Sequence, residues 1–288
     1  IEIYSDNLKN EKLLNFENKN DQLFSIVKNF EIYKKINKSL LKNKFFKKIN
    51  SKKKINTDQY NLIVITDYNS PLAKKFFNKK IVKKYNSEAY TTIIHHEKIP
   101  NEVATQIFTK KGPIAFLPIS KNKTSVVYSI HKLKNKANID INKLIHQYNI
   151  KYKIKKIDKI NFFDLKFFVL RSYYNKNILA FGDLLHRIHP LAGQGFNMTI
   201  RDIRILSDII ETKTKIGLPL DSSVNHEFEN KMKHKNFIFS NSIDFIHSFF
   251  NLERQLQNSI LSKSVKFLGK NPTINKLLTK IADEGIRL

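Results

Sequence analysis

Apolar positions change their spacing several times along the chain. Residues 1–27 alternate short apolar pieces (Ile1–Tyr4, Leu13–Phe16 and Leu23–Val27) with Asn, Asp and Lys turns, which predicts small strands. From Asn29 the spacing becomes helical, with Phe30, Ile32, Ile36, Leu40 and Leu41 recurring on one face of a Lys-rich segment. Leu62-Ile63-Val64-Ile65 is a continuous β-branched run suited to a buried parallel strand. Ser70-Pro71 then supplies an N-cap and a first-turn proline for a helix. Residues 80–131 read as strands between turns: Lys80–Tyr85, Ala89–His96, Ala104–Phe108, Pro113–Ile119 and Ser125–Ile130. A helix is predicted near Ile139–Tyr148, strands near Phe162–Tyr173, and mostly helix from Gly193 onward. The pattern predicts an α/β frame with a mostly antiparallel sheet inserted into it.

Composition narrows the chemistry. The 288 residues suit one large domain or two interleaved ones. With no Cys, a disulfide scaffold, a Cys-ligated zinc site, an iron–sulfur cluster and a thiol nucleophile are all excluded. The formal charge of +27 comes almost wholly from Lys, since only six of the 52 basic residues are Arg. Arg is the fork that reads base edges and phosphates, so no nucleic-acid partner is expected. Diffuse Lys suits transient contact with an anionic membrane surface instead. The apolar runs fall far short of the roughly 20 residues a membrane span needs, and no signal peptide is visible. The expected location is the cytoplasm, peripheral on the inner membrane. The first residues are Ile1-Glu2-Ile3-Tyr4, without Met, so the chain is expected to start partway through a longer protein.

Glycine placement carries the candidate chemistry. There is none before Gly112, and three of the seven lie between Gly182 and Gly195. An apolar strand, Ile178–Phe181, runs into Gly182-Asp183; a Pro-bearing loop follows, then Gly193-Gln194-Gly195 at a helix start. That helix carries Phe196, Ile200, Ile203, Leu206 and Ile210 at helical period. Glycines at a helix start let a ligand approach the backbone, where unpaired N–H groups and the helix dipole favour negative charge. An Asp at the carboxyl end of a strand can accept hydrogen bonds from a hydroxylated ligand. The same residues also suit a plain strand–loop–helix joint whose glycines serve close packing.

The segment Gly182-Asp183…His186…His189-Pro190-Leu191-Ala192-Gly193-Gln194-Gly195-Phe196-Asn197 resembles the second flavin motif of class A flavoprotein monooxygenases. Within that class the chain is most similar to the ubiquinone-biosynthesis hydroxylases acting on polyprenylated phenols. Ala104–Phe108, Gly112–Pro118 and Ser125–Ser129 resemble their substrate-domain strands, and Val27–Asn29 the start of their second FAD-domain helix. The resemblance implies a p-hydroxybenzoate-hydroxylase-like FAD/NAD(P)-binding fold with an inserted β-sheet substrate domain and C-terminal helices. It implies FAD, NAD(P)H as reductant, O₂, and ring hydroxylation through a flavin C4a-hydroperoxide, with no side chain as strong base. A polyprenylated phenol is the implied substrate and a ubiquinone-pathway protein complex an implied partner.

By that resemblance, Asp183 bonds the ribityl chain, and the backbone at Gly193, Gln194 and Gly195 faces the N1–C2=O edge of the flavin. Pro190 and Leu191 lie against the ring, with Gly182, Ala192 and Asn197 completing the motif. The family's middle Asp-Gly motif survives only as Asp67, followed by Tyr68. The family's opening Gly-x-Gly-x-x-Gly cannot lie in a stretch without glycine, so the first βαβ unit is expected to be absent from this chain. The implied division places a partial FAD-binding domain at 28–85 and 173–225. The substrate sheet takes 1–27 and 86–172, and a helical region 226–288. The rival readings are a non-catalytic Lys-rich module on anionic membrane or nucleic acid, and an inactive truncated relic.

Other signals are weaker. His186 and His189 have the spacing of a metal pair, but Pro190 follows directly and no carboxylate stands at ligand spacing, so no metal is expected. His95 and His96 would point to opposite faces of one strand. Phe245, Phe249, Leu252, Leu256 and Ile260 form a stripe on a late helix beginning near Asp244, suited to core packing or to a membrane face. No nucleophile elbow, phosphate loop or His-Glu-x-x-His motif is present, which excludes the common hydrolase and kinase classes.

Overall fold

The computed structural model describes residues 1–6, 12–17, 22–49, 56–132, 139–188, 193–256 and 260–269, with single positions at 271, 273, 274 and 276. Among these, nine strands form one mostly antiparallel sheet and three form a small second sheet. The large sheet contains β1 (Glu2–Ser5), β2 (Lys12–Asn15), β4 (Lys80–His96), β5 (Thr105–Thr109), β6 (Gly112–Ser120), β7 (Lys123–His131), β8 (Ile154–Ile157), β9 (Asn161–Leu170) and β12 (His186–Arg187). Its order is β12-β9-β4-β7-β6-β5-β1-β2, with β8 also on β4. The exception to antiparallel pairing is β1, which lies parallel to β5.

The small sheet joins β3 (Ile63–Ile65), β10 (Tyr174–Asn175) and β11 (Ile178–Ala180) in the order β10-β11-β3. β3 and β11 are parallel, with Ile65 opposite Ala180. Helices α1 (Asn29–Leu40), α2 (Pro71–Phe76), α3 (Ile141–Tyr148), α4 (Gln194–Lys215), α5 (Ser222–Leu256) and α6 (Ile260–Gly269) complete the fold.

Period-two burial along β6 (Ile114, Phe116 and Pro118 in; Pro113, Ala115 and Leu117 half out) shows why this segment is a strand with one face on a core. That face meets α3, whose buried Ile141, Leu144 and Ile145 close the core around Ile94, Ile114, Phe116 and Tyr128. Asp140 caps α3 by accepting from the Lys143 amide. A second core surrounds the parallel pair, where Leu179, Ala180 and Phe181 pack on Leu206, Ile209 and Phe228. A third lies at the seam between them, with Tyr85, Phe167, Val169, Ile188, Met198 and Phe239.

Several expectations are corrected. Lys80–Tyr85 and Ala89–His96 are one strand, broken in register between positions 84 and 88, where Asn86 takes φ 49°. This is a β-bulge, and Asn is among the few non-glycine residues that tolerate that conformation. Residues 22–28 enter no ladder: apolar content makes a strand only where an edge accepts its N–H groups. Ser70 precedes α2 as expected, but its side chain makes no capping bond. The late helix begins at Ser222, not near Asp244, and β8 was not foreseen. α1 forms where expected, yet none of its residues is buried, and Phe30 and Ile36 are exposed.

The largest correction concerns α4. Phe196, Ile200 and Ile203 are exposed, whereas the buried face carries Gln194, Met198, Asp202, Leu206 and Ile209. The helical period holds, but its residues divide: Leu206 is buried and Ile210 packs against the core, while Phe196, Ile200 and Ile203 face outward because the buried side is partly polar.

Candidate cofactor site

Parallel strands end with their carboxyl edges together, and a crevice there is where open α/β sheets bind ligands. β3 and β11 deliver Asp67 and Asp183 to that edge. The ladder extends one step past the strands through the Phe181 amide, which donates to Ile65 O at 2.8 Å. The chain then tightens into a 3₁₀ turn over Gly182–Leu184. A Cβ at Gly182 would touch Thr199 Cγ2 at 3.9 Å and Thr66 Cγ2 at 4.0 Å, so the end of β3, this turn and the start of α4 converge. Thr66 and Thr199 belong to this junction and were not found from the sequence, since neither sits in a motif position.

Leu184 and Leu185 are buried on either side of the chain's exit toward β12, which anchors the turn, while the Asp183 carboxylate is exposed. Gly193 takes φ 65° as the residue before α4, and nothing stands within 4 Å of where its Cβ would be. Among the described residues no side chain caps the helix, and its first amides are of the kind that favour an anion. Gln194 is 8% exposed, and its Oε1 has no hydrogen-bond partner among the described residues. Gly195 is half-buried and Asn197 exposed. His189, Pro190, Leu191 and Ala192 lie outside the described residues.

Asp67 is used differently from the family pattern. Its Oδ1 accepts from the Asn69 amide at 2.9 Å and its backbone oxygen accepts from Ser70 N at 3.2 Å, turning the carboxylate back on its own loop. Tyr68 beside it is exposed.

The histidines have local partners. His95 Nε2 faces Asp158 at 3.0 Å, and that hydrogen bond holds the Asp158 carboxyl below its ordinary value. His96, on the other face, meets Thr124 Oγ1 at 3.0 Å. His186 Nε2 lies 2.8 Å from Asp202 Oδ2, a carboxylate that sequence spacing did not reveal because it comes from the next helix. Nearby, burial and the Asp202 charge push the Tyr173 hydroxyl well above its ordinary value. At the seam, Lys83 Nζ meets Asp244 Oδ2 at 2.7 Å, and burial followed by the Asp244 charge raises Tyr85.

Helix-start amides that no described side chain caps, an exposed carboxylate on the facing turn and a buried amide oxygen without a partner among the described residues form a donor and acceptor set that fits a flavin with its ribityl chain. Comparison with known proteins points the same way. Residues 74–214 match the family model described as an FAD binding domain. The chain is 26% identical over 175 residues to the 3-demethoxyubiquinol 3-hydroxylase of Escherichia coli (strain K12), covering 58% of this chain and 44% of that protein. It is 27% identical over 212 residues to the mitochondrial ubiquinone biosynthesis monooxygenase COQ6 of Homo sapiens, covering 59% and 45%. The chain thus spans less than half the length of these relatives.

In fold it is similar to the crystal structure of pqsL, a probable FAD-dependent monooxygenase from Pseudomonas aeruginosa. The TM-score is 0.65 at 14% identity, over 92% of this chain and 80% of that one. It is also similar in fold to the p-nitrophenol 4-monooxygenase PnpA of Pseudomonas putida DLL-E4, with TM-score 0.63 at 12% identity over 79% and 60%. Over residues 74–214 the sequence is thus similar to an FAD binding domain, and the fold is similar to that of flavoprotein monooxygenases. Within that class, the sequence relatives of this chain include ubiquinone-biosynthesis hydroxylases.

Proposed function

We propose that the protein is an FAD-dependent monooxygenase that hydroxylates the aromatic ring of a polyprenylated phenol in ubiquinone biosynthesis, with NAD(P)H as reductant. The observation that carries the cofactor assignment is the meeting of the Asp183 turn with the uncapped start of α4 at one strand edge. The substrate class is supported by the curated relatives. Bound FAD supplies the redox chemistry and the activation of oxygen. This chain's own residues would hold it: Asp183 would accept hydrogen bonds from its hydroxylated chain, and the amides of Gly193, Gln194 and Gly195 would face the ring edge and favour negative charge there. We assign the FAD-binding part to 28–85 and 173–225, the substrate part to 1–27 and 86–172, and the helical part to 226–288. β4 and α5 run unbroken through two of these boundaries, which makes the parts interleaved rather than separable.

The test is direct. Protein expressed from the complete gene should carry one non-covalent FAD and oxidise NAD(P)H faster when a short-chain prenylphenol is present, with a hydroxylated product. Flavin-free protein with no such oxidation would sink the reading.

The partner surface follows from solubility. A polyprenylated phenol resides in a bilayer, and among the described residues no helix is long and apolar enough to cross one. Reversible docking through Lys on an anionic leaflet, near 1 kcal/mol per residue at the surface, fits a chain with +27 formal charge. Phe245 is 68% exposed, as a membrane face requires; the side chains of Phe249, Leu252, Leu256 and Ile260 lie outside the described positions. Flotation should show binding to anionic vesicles that is lost at high salt, and little binding to neutral ones. Equal binding to both would leave the charge without this role.

A further inference from the structure

Each half of the crevice carries one member of a buried polar pair. His186 follows Asp183 by three positions, and Asp202 follows Gly195 by seven. Their side chains are 1% and 0% exposed and meet at 2.8 Å, Nε2 to Oδ2. A carboxylate can only accept, so the hydrogen between them sits on His186 Nε2. Asn236 Nδ2, from α5, donates to the other oxygen, Oδ1, at 3.0 Å. Both oxygens of Asp202 are therefore held, from two different elements.

A fully buried carboxylate costs free energy that a leucine at the same place on α4 would not. What the pair provides is a fixed position. His186 belongs to β12, which is registered on β9 of the large sheet, with His186 opposite Val169. Asp202 lies about 10 Å along α4 from Gly195 at the ordinary helical rise, on the same buried face as Gln194 and Met198. A hydrogen bond has a direction and a length, whereas apolar packing tolerates sliding. The pair indexes α4 against the strand end that bears Asp183.

We infer that His186 and Asp202 are positioning residues of the cofactor site: their pair, completed by Asn236, sets where the opening amides of α4 stand relative to Asp183. The inference rests on the flavin reading above for what those amides serve.

Amide hydrogen exchange and FAD titration of the protein from the complete gene test it together. His186→Ala should speed exchange of residues 198–203 on the order of 100-fold relative to β6 and β7, and weaken FAD roughly tenfold. His186→Gln, which restores a donor near Nε2, should recover both. Ile145→Ala, a buried position on α3 outside both α4 and the reference strands, serves as the control: it should lower global stability and speed exchange in α4 and β6–β7 alike, with FAD affinity of the folded protein as in the parent. Uniform acceleration in His186→Ala like that of the control, or unchanged FAD affinity while folded, overturns the inference. If His186→Ala does not fold, Asp202→Asn reads the same contrast with the shape kept and the charge removed. A parent that binds no FAD overturns the flavin reading alone, because the exchange contrast needs no flavin.

Discussion

Replacing Asp183 by Ala should strip FAD from the protein while leaving the fold in place. The carboxylate is exposed, so its removal opens no cavity, and Leu184 and Leu185 hold the turn from inside. What is lost is a charged acceptor at the crevice. Hydrogen bonds to charged groups contribute about 1.5–3 kcal/mol, which corresponds to a roughly 10- to 150-fold rise in Kd. Flavin retained through gel filtration, read by absorbance alongside a thermal melt of the apoprotein, separates the two effects. Asp183→Asn should fall between the parent and the alanine variant, since it keeps an acceptor without the charge. Full flavin content in Asp183→Ala would move the ribityl chain elsewhere.

The second large effect is structural and remote from the crevice. Gly112 opens β6 at φ 137°, and a Cβ there would lie 2.0 Å from the Ser129 carbonyl oxygen on β7. No side-chain rotation relieves a clash with backbone. The turn is also closed by Thr109 Oγ1, which donates to Gly112 O at 2.7 Å. Gly112→Ala must therefore push β6 off β7 next to the Ile114–Tyr128 pair, both of which are fully buried. The cost should exceed about 3 kcal/mol, combining strain with lost packing. Lys111→Ala, one residue earlier and in the same turn, should stay within about 0.5 kcal/mol. Urea unfolding of the three proteins gives the comparison; matching midpoints for parent and Gly112→Ala would contradict the close approach.

What the sequence revealed depended on how local the cause was. Gly182-Asp183 and Gly193-Gln194-Gly195 were legible because backbone conformation and helix-end chemistry are properties of a few adjacent residues. The β6–β7 strands were legible because their period of two is written into consecutive side chains. Asp202 was not. Its burial is set by His186, sixteen residues earlier, and Asn236, thirty-four later, and nothing in the residues around it announces either. The apolar period therefore identified α4 as a helix without showing which of its residues are buried. The bulge at Asn86 escaped for a related reason, since one residue out of register looks like a gap between two strands. Asp67 differs again: its bond from the Asn69 amide is local enough to expect from an Asp in a turn, but it does not bear on the family role.

The parallel pairing of β3 with β11 has a consequence for how the crevice comes into being. Asn177 Nδ2 bonds Thr57 O beside that pair, and these two residues are 120 apart in sequence. Bringing the ends of a flexible loop of that length together costs about 4 kcal/mol in entropy beyond a constant, more than a short three-residue strand pair returns. Most of the antiparallel sheet is drawn from the intervening chain. Once folded, that sheet is no longer a loop but a stiff spacer that already holds the two ends near each other. The crevice thus owes its closure to strands that never reach it, and a lesion at Gly112 would be felt there as a lost effective concentration.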